Sequence, residues 1–205
     1  MAGLFITLEG GDGVGKSTQS ALLTAALTDR GRTVVHSREP GGSELGLELR
    51  EIILHRRGYM APRAEALLYA ADRAHNIATV VRPALERGDI VIQDRYLDSS
   101  VAYQGAGRVL EPGQVRDISL WAAEGLLPDL TVLLDLDPAE GRRRLDASRE
   151  RYDRLEAEAA EFHGRVRDKF LELAAAEPQR FLVLDAARSP DDVAAAILER
   201  VDALL

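Results

Sequence analysis

The run Leu4-Phe5-Ile6-Thr7-Leu8, continuing through Glu9-Gly10-Gly11-Asp12-Gly13-Val14-Gly15-Lys16-Ser17-Thr18, constrains the fold more than any other part of the chain. An apolar strand leads into a glycine-rich turn, and the turn into a helix start. Gly10, Gly15, Lys16 and Ser17 keep the G-x-x-x-x-G-K-[ST] spacing of a P-loop. In that geometry backbone N–H groups converge on a phosphate while the helix N-terminus favours its charge. The reading is a nucleoside triphosphate site built from Gly10, Gly11, Asp12, Gly13, Val14, Gly15, Lys16, Ser17 and Thr18. Lys16 is expected to reach the β and γ phosphates, and the Ser17 hydroxyl to join the oxygen shell of Mg²⁺.

Short apolar runs recur at Leu4–Leu8, Thr33–His36, Ile90–Gln93, Leu130–Leu136 and Phe181–Leu184, with longer stretches of helical period between them. That rhythm predicts an α/β fold, a five-stranded parallel sheet with helices on both faces. Right-handed crossovers bring the carboxyl ends of such strands to one edge, where ligands bind. The sequence places its charged and glycine-rich segments there: the phosphate loop after the first strand, Arg38-Glu39-Pro40-Gly41-Gly42-Ser43 after the second and Asp94-Arg95-Tyr96 after the third. The 205 residues fit a single domain, closed by an amphipathic helix carrying Val193, Ile197, Val201 and Leu204. With 26 basic against 34 acidic residues, the net charge of −8 implies no general attraction to nucleic acid or anionic membrane, so small molecules are the expected partners. The absence of cysteine removes disulfides and thiolate metal sites and fits a reducing cytoplasm. No run has the length of a membrane span, and Leu4–Leu8 is too short for a signal peptide.

A P-loop alone does not separate a kinase from a switch or a motor, and the remaining motifs must supply a second substrate. Asp94 closes an apolar run where a carboxylate can hold Mg²⁺ directly or through water. Arg95 beside it offers a planar fork suited to a phosphate monoester. Between Gly141 and Glu156 the arginines 142, 143, 144, 149, 151 and 154 alternate with acidic residues. Such a segment is either a solvated face with i,i+4 pairing or a mobile lid that brings cations over a transferring phosphoryl group and excludes water. Gly13 stands where the phosphate loop could have carried an arginine, which favours the lid as their source.

Taken together these residues resemble the thymidylate kinase family. The stretch Phe5–Gln19 is similar to its phosphate loop, and Arg38-Glu39-Pro40-Gly41-Gly42-Ser43 to its R-E-P-G-G-[TS] signature. The segment Asp94 to Gly105 resembles its D-R-Y-x-x-S-x-x-A-Y-Q-G motif, and Tyr152-Asp153-Arg154-Leu155-Glu156 the end of its lid. The resemblance implies a nucleoside monophosphate kinase fold with a mobile lid over roughly residues 141–156, transfer of the ATP γ-phosphoryl group to dTMP with Mg²⁺, and a homodimer. It implies that Arg38 and Arg95 hold the acceptor phosphate, with Arg50 beside it or in the wall behind it, and that Asp12 sits near the sugar 3′-hydroxyl. Tyr103 lies against the sugar face, Arg73 meets base O4, Ser100 serves the N3 edge and Gln104 lies near the acceptor. Tyr69 stands where the family usually stacks phenylalanine on thymine. The resemblance further implies that Lys16, Arg95 and the lid arginines Arg149, Arg151 and Arg154 are the catalytic cations, with no single lid arginine distinguished. Arg144 is a further candidate, for stacking on adenine beside Asp185–Pro190. Trp121 and the helix around Ala64–Ile77 are candidates for the dimer contact, Trp121 otherwise for the core.

Overall fold

The computed structural model describes residues 3–147 and 152–205. Strands β1 (Leu4–Glu9), β2 (Val34–Arg38), β3 (Ile90–Asp94), β4 (Leu130–Asp135) and β5 (Phe181–Asp185) form one parallel sheet in the order β2-β3-β1-β4-β5. This is the sheet expected from the apolar runs. Its ends differ slightly: β1 continues to Glu9, β2 to Arg38 and β3 to Asp94, so three charged residues expected just beyond strands lie within them.

Helices cover both faces, so strand residues are apolar in both directions rather than alternating with polar ones. On one face Ile6, Leu8, Ile92, Val132 and Leu134 pack with Leu23 and Leu27 of α1 (Lys16–Asp29) and with Val193, Ile197 and Val201 of the C-terminal helix Pro190–Asp202. On the other, Phe5 and Val91 meet Ile77, Val81, Tyr96 and Leu97, while Leu133 meets Phe162, Val166 and Phe170. Each fully buried aliphatic or aromatic side chain contributes about 1.5–3 kcal/mol by leaving water.

Between β2 and β3 run α2 (Glu44–Arg50) and α3 (Pro62–Asn76), each continuing without a break into a stretch of π pitch, Glu51–His55 and Ile77–Val81, and then α4 (Arg82–Glu86). After β3 come α5 (Leu97–Ser100), a π stretch Val101–Gly107 and α6 (Pro112–Ala122). The helix α7 (Pro138–Asp146) runs into the segment expected to form the lid, and α8 (Ala160–Ala176) returns the chain to β5. Trp121 is not a core residue: at 81% exposure it stands out from α6.

Candidate active site

Parallel registry aligns Leu8 with Asp94 and Asp94 with Arg38, so the carboxyl ends of β1, β3 and β2 carry their loops to one place. A cavity of about 410 Å³ opens above them. Its walls include Asp12, Gly13, Val14, Gly15, Lys16, Ser17 and Thr18 of the phosphate loop together with Arg38, Arg50, Tyr69, Arg73, Asp94, Arg95, Ser100, Tyr103, Gln104 and Arg144. Gly10 and Gly11 are not in this wall; their carbonyls accept hydrogen bonds from Lys16 Nζ at 3.3 and 2.7 Å.

Gly15 precedes α1 with φ of 97°, a left-handed conformation that a side chain would oppose. No side chain caps the helix and no acidic residue sits in its first turn, so its N–H groups are left for an anion. Burial, and then the charge of Arg95, push the Lys16 ammonium below its ordinary range. Ser17 is exposed at the same helix start, and Asp94 Oδ1 is a buried oxygen without a hydrogen-bond partner. An unpartnered carboxylate oxygen and a hydroxyl in one wall suit Mg²⁺, which takes one or two protein oxygens and completes its octahedron with water and phosphate.

Arg95 is held from several sides. It has φ of 65°, left-handed and strained for a non-glycine residue. Its Nη1 donates to the Gly10 carbonyl at 2.9 Å and to Ser99 Oγ at 3.2 Å, its Nη2 to Asp12 Oδ1 at 2.5 Å, and its guanidinium lies 4.9 Å from the Tyr103 ring centroid. Tyr103 hydroxyl donates to the other Asp12 oxygen at 3.1 Å. Burial pushes the Asp12 carboxyl upward, but the charges of Arg95 and Lys16 overcome it and hold the group below its usual value. Behind Arg95 stands Glu9, fully buried, which accepts from the Tyr96 and Ser99 N–H groups and shares a 2.5 Å hydrogen bond with Ser99 Oγ. Burial, with the charge of Asp98 added, pushes the Glu9 carboxyl up to about 8.

Arg38 and Arg50 form no ion pair among the described residues; Arg38 Nε reaches only the Gly41 carbonyl at 3.5 Å, and Arg50 Nη1 donates to the Pro40 carbonyl at 2.8 Å. Burial and the like charge of Arg38 lower the Arg50 pKa. Two guanidiniums that face one cavity and pair with no carboxylate among the described residues suit an anion. Tyr69 and Tyr103 are buried in the same wall, and burial raises both hydroxyls well above their ordinary range. Arg73 is 1% exposed and bonds Glu39 Oε2, Ser119 Oγ and Ser100 Oγ at 2.8, 2.9 and 3.0 Å. Burial pushes the Glu39 carboxyl to about 7 in spite of Arg73. Gln104 donates to Glu65 Oε1 at 2.9 Å.

The arginines expected in a lid divide. Arg144 lines the cavity and donates to the Ala186 carbonyl at 3.1 Å, beside the loop following β5. Arg154 does not line it: its guanidinium donates to the Ile53 carbonyl at 3.0 Å and pairs with the buried Glu65 at 2.5 Å. Arg142 lies 3.8 Å from the Tyr152 ring centroid and Arg143 pairs with Glu140. Arg149 and Arg151 lie outside the described residues. Gly13 meets Gly141 of α7: a Cβ on Gly13 would sit 2.3 Å from the Gly141 carbonyl oxygen, so any side chain there would clash with this backbone. Sequence reasoning missed the parts played by Glu9, Glu39, Glu65, Ser99 and Ser119. Glu9 and Glu39 lie inside quoted motifs and could have been suspected; Ser119 gave no signal.

Comparison with known proteins follows the same lines. Residues 8–197 match a family model described as thymidylate kinase. A thymidylate kinase of Clavibacter michiganensis subsp. michiganensis is 72% identical over 205 residues, covering 100% of this chain and 97% of the relative. One from Deinococcus radiodurans is 55% identical over 195 residues, covering 95% and 94%. Among solved structures, the thymidylate kinase of Ehrlichia chaffeensis superposes with a TM-score of 0.79 at 29% identity, covering 98% of this chain and 99% of that one.

Proposed function

The chain belongs to the thymidylate kinase family, which transfers the γ-phosphoryl group of ATP to dTMP and yields dTDP and ADP, and on that premise we propose how its cavity divides between the two nucleotides. Lys16 and the uncapped start of α1 take the β and γ phosphates, while Arg144 and the loop after β5 border the adenine. Arg38, Arg50 and Arg95 take the acceptor phosphate. Tyr69 stacks on thymine, Arg73 meets O4, Ser100 serves N3, and Tyr103, Asp12 and Gln104 surround the sugar and acceptor end. The observation that carries this division is the pair Arg38 and Arg50, which lack ion-pair partners among the described residues and share one cavity with the phosphate loop.

Ser17 and Asp94 would hold Mg²⁺, which neutralises charge on the phosphate oxygens. The acceptor oxygen is already anionic at neutral pH, so the side chains position and neutralise rather than abstract a proton. Arg149 and Arg151 would add cations from the lid; Arg154 joins them only by exchanging Glu65 for the transferring group. A homodimer is supported by the neighbouring helices α2, α3 and α6, on which Leu45, Leu67 and Trp121 are 43%, 53% and 81% exposed. No helix among the described residues is long and apolar enough to cross a membrane. The partners proposed are ATP and dTMP, with no nucleic acid, in the cytoplasm.

The test is coupled ADP release with dTMP, dUMP, dCMP, dAMP, dGMP and thymidine, with and without Mg²⁺. Turnover is expected to require dTMP and the cation, and to be lost in Lys16→Ala and Arg95→Ala without loss of the folded state. Preference for unphosphorylated thymidine would remove the roles of Arg38 and Arg95, and wild-type turnover in either variant would refute that residue's assignment.

A further inference from the structure

We infer that Ser119, on α6 and outside the cavity wall, is a positioning residue that sets which pyrimidine the kinase accepts, by fixing the Arg73 guanidinium so that a single N–H remains for the base. The inference rests on the proposed contact between Arg73 and O4.

A guanidinium carries five N–H donors in a rigid plane. In this structure Nε donates to Glu39 Oε2 at 2.8 Å, and Nη2 lies 2.8 Å from the same oxygen while also donating to Ser100 Oγ at 3.0 Å. Nη1 donates to Ser119 Oγ at 2.9 Å. Three N–H groups are thereby hydrogen-bonded, a second N–H of Nη2 is taken up in the ion pair with Glu39, and one N–H of Nη1 is left. The Arg73 guanidinium also lies 5.3 Å from the Tyr96 ring centroid, and both the arginine and Ser119 are 1% exposed, so water does not replace a missing partner easily. A fixed donor matches the keto oxygen of thymine and opposes the amino group that cytosine presents at the same place. Glu39 and Ser100 line the cavity themselves, so their substitution would alter the wall directly. Ser119 does not, and acts through Arg73 alone.

Removal of the Ser119 hydroxyl leaves Nη1 with two uncommitted N–H groups in a dry site, and the guanidinium turns about its Glu39 anchor to satisfy them. The cost appears in substrates that offer a strong acceptor at position 4 and not in those that lack one. The experiment compares dTMP with 4-thio-dTMP, in which a weakly accepting sulfur replaces only O4. Wild-type enzyme is expected to favour dTMP. In Ser119→Ala the KM for dTMP should rise about tenfold with kcat unchanged, a loss equal to one good hydrogen bond. The kcat/KM for 4-thio-dTMP should stay where it was, so the preference collapses. An unchanged preference overturns the inference, whether both nucleotides lose equally through a general packing defect or neither loses. If wild-type enzyme does not distinguish the two nucleotides, the O4 role of Arg73 fails and the inference fails with it, a result separable from a failure of Ser119 alone.

Discussion

Alanine at Gly13 would drive a methyl group into the backbone of α7. Gly13 has φ of 74°, and its added Cβ would lie 2.3 Å from the Gly141 carbonyl oxygen; a Cβ on Gly141 would lie 2.5 Å from the Asp12 carbonyl oxygen. Ordinary contact begins at 3.4 Å, so either substitution must open this approach by about 1 Å. Gly13→Ala carries both the left-handed backbone penalty, about 1–2 kcal/mol, and an overpacking penalty of about 1–3 kcal/mol. Its total is about 2–5 kcal/mol. Gly141→Ala carries only the second and recovers about 1 kcal/mol of helix propensity. Gly15→Ala supplies the control, because its φ is 97° and nothing lies within 4 Å of the added carbon, which leaves only the backbone penalty. Urea unfolding of the nucleotide-free protein measures all three. Once one methyl has opened the approach the second meets less resistance, so the double variant Gly13→Ala/Gly141→Ala should cost about 1 kcal/mol less than the sum of its singles. The reasoning is refuted if Gly13→Ala is no more destabilising than Gly15→Ala, or if the double variant is additive.

Glu9→Gln tests the buried carboxyl behind Arg95. A carboxyl near 4.5 in the unfolded chain and about 8 when folded keeps its proton only in the folded state between those values. Wild-type stability from this group is therefore full below 4.5 and is lost as pH rises through 8. Glutamine copies the protonated form, so the variant should equal wild type near pH 4.5 and exceed it by on the order of a few kcal/mol at pH 9, read by chemical denaturation. A pH-independent difference contradicts the assignment. Trp121→Asp places a charge on the proposed dimer face; sedimentation should show a dimer in wild type and a folded monomer in the variant, because the side chain is 81% exposed within the protomer. A monomeric wild type, or a dimeric variant, rules that face out.

Local signals carried most of what the sequence disclosed. The phosphate loop is legible because strand, turn and helix start are contiguous, and the sheet because each apolar run stands alone between helical stretches. Arg38 and Asp94–Arg95 were expected just past strand ends, and the structure has Arg38 and Asp94 as the last residues of their strands, since parallel strands collect their carboxyl ends at one edge. The partners of those residues were not legible. Glu9 reads as the approach to a loop, whereas its carboxylate caps a segment 87 to 90 residues away. Arg154 reads as a lid cation, yet its partner is Glu65 on α3. Trp121 is apolar and stands on an amphipathic helix; only the packing of neighbouring helices shows that none of the described residues covers it.

The electrostatics of the cavity explain why these hidden partners exist. Lys16, Arg38, Arg50 and Arg95 crowd like charges into one enclosure, and the pKa of Lys16 falls first from burial and then from Arg95, that of Arg50 first from burial and then from Arg38. Such a cluster opposes folding unless counter-charges stand close by. Asp12 partly supplies them on one side, bonded to Arg95 and Tyr103, whereas Glu9 behind Arg95, its carboxyl pushed up to about 8, keeps its proton at neutral pH and adds no full charge. Arg38 and Arg50 have no bonded counter-charge among the described residues, and Asp153 and Asp94 offset Arg50 only through space. The triphosphate and the acceptor monophosphate would complete it, relieving the like-charge repulsion and raising the lowered Lys16 pKa, so that the energy withheld from folding becomes available to bind and align the reacting phosphates.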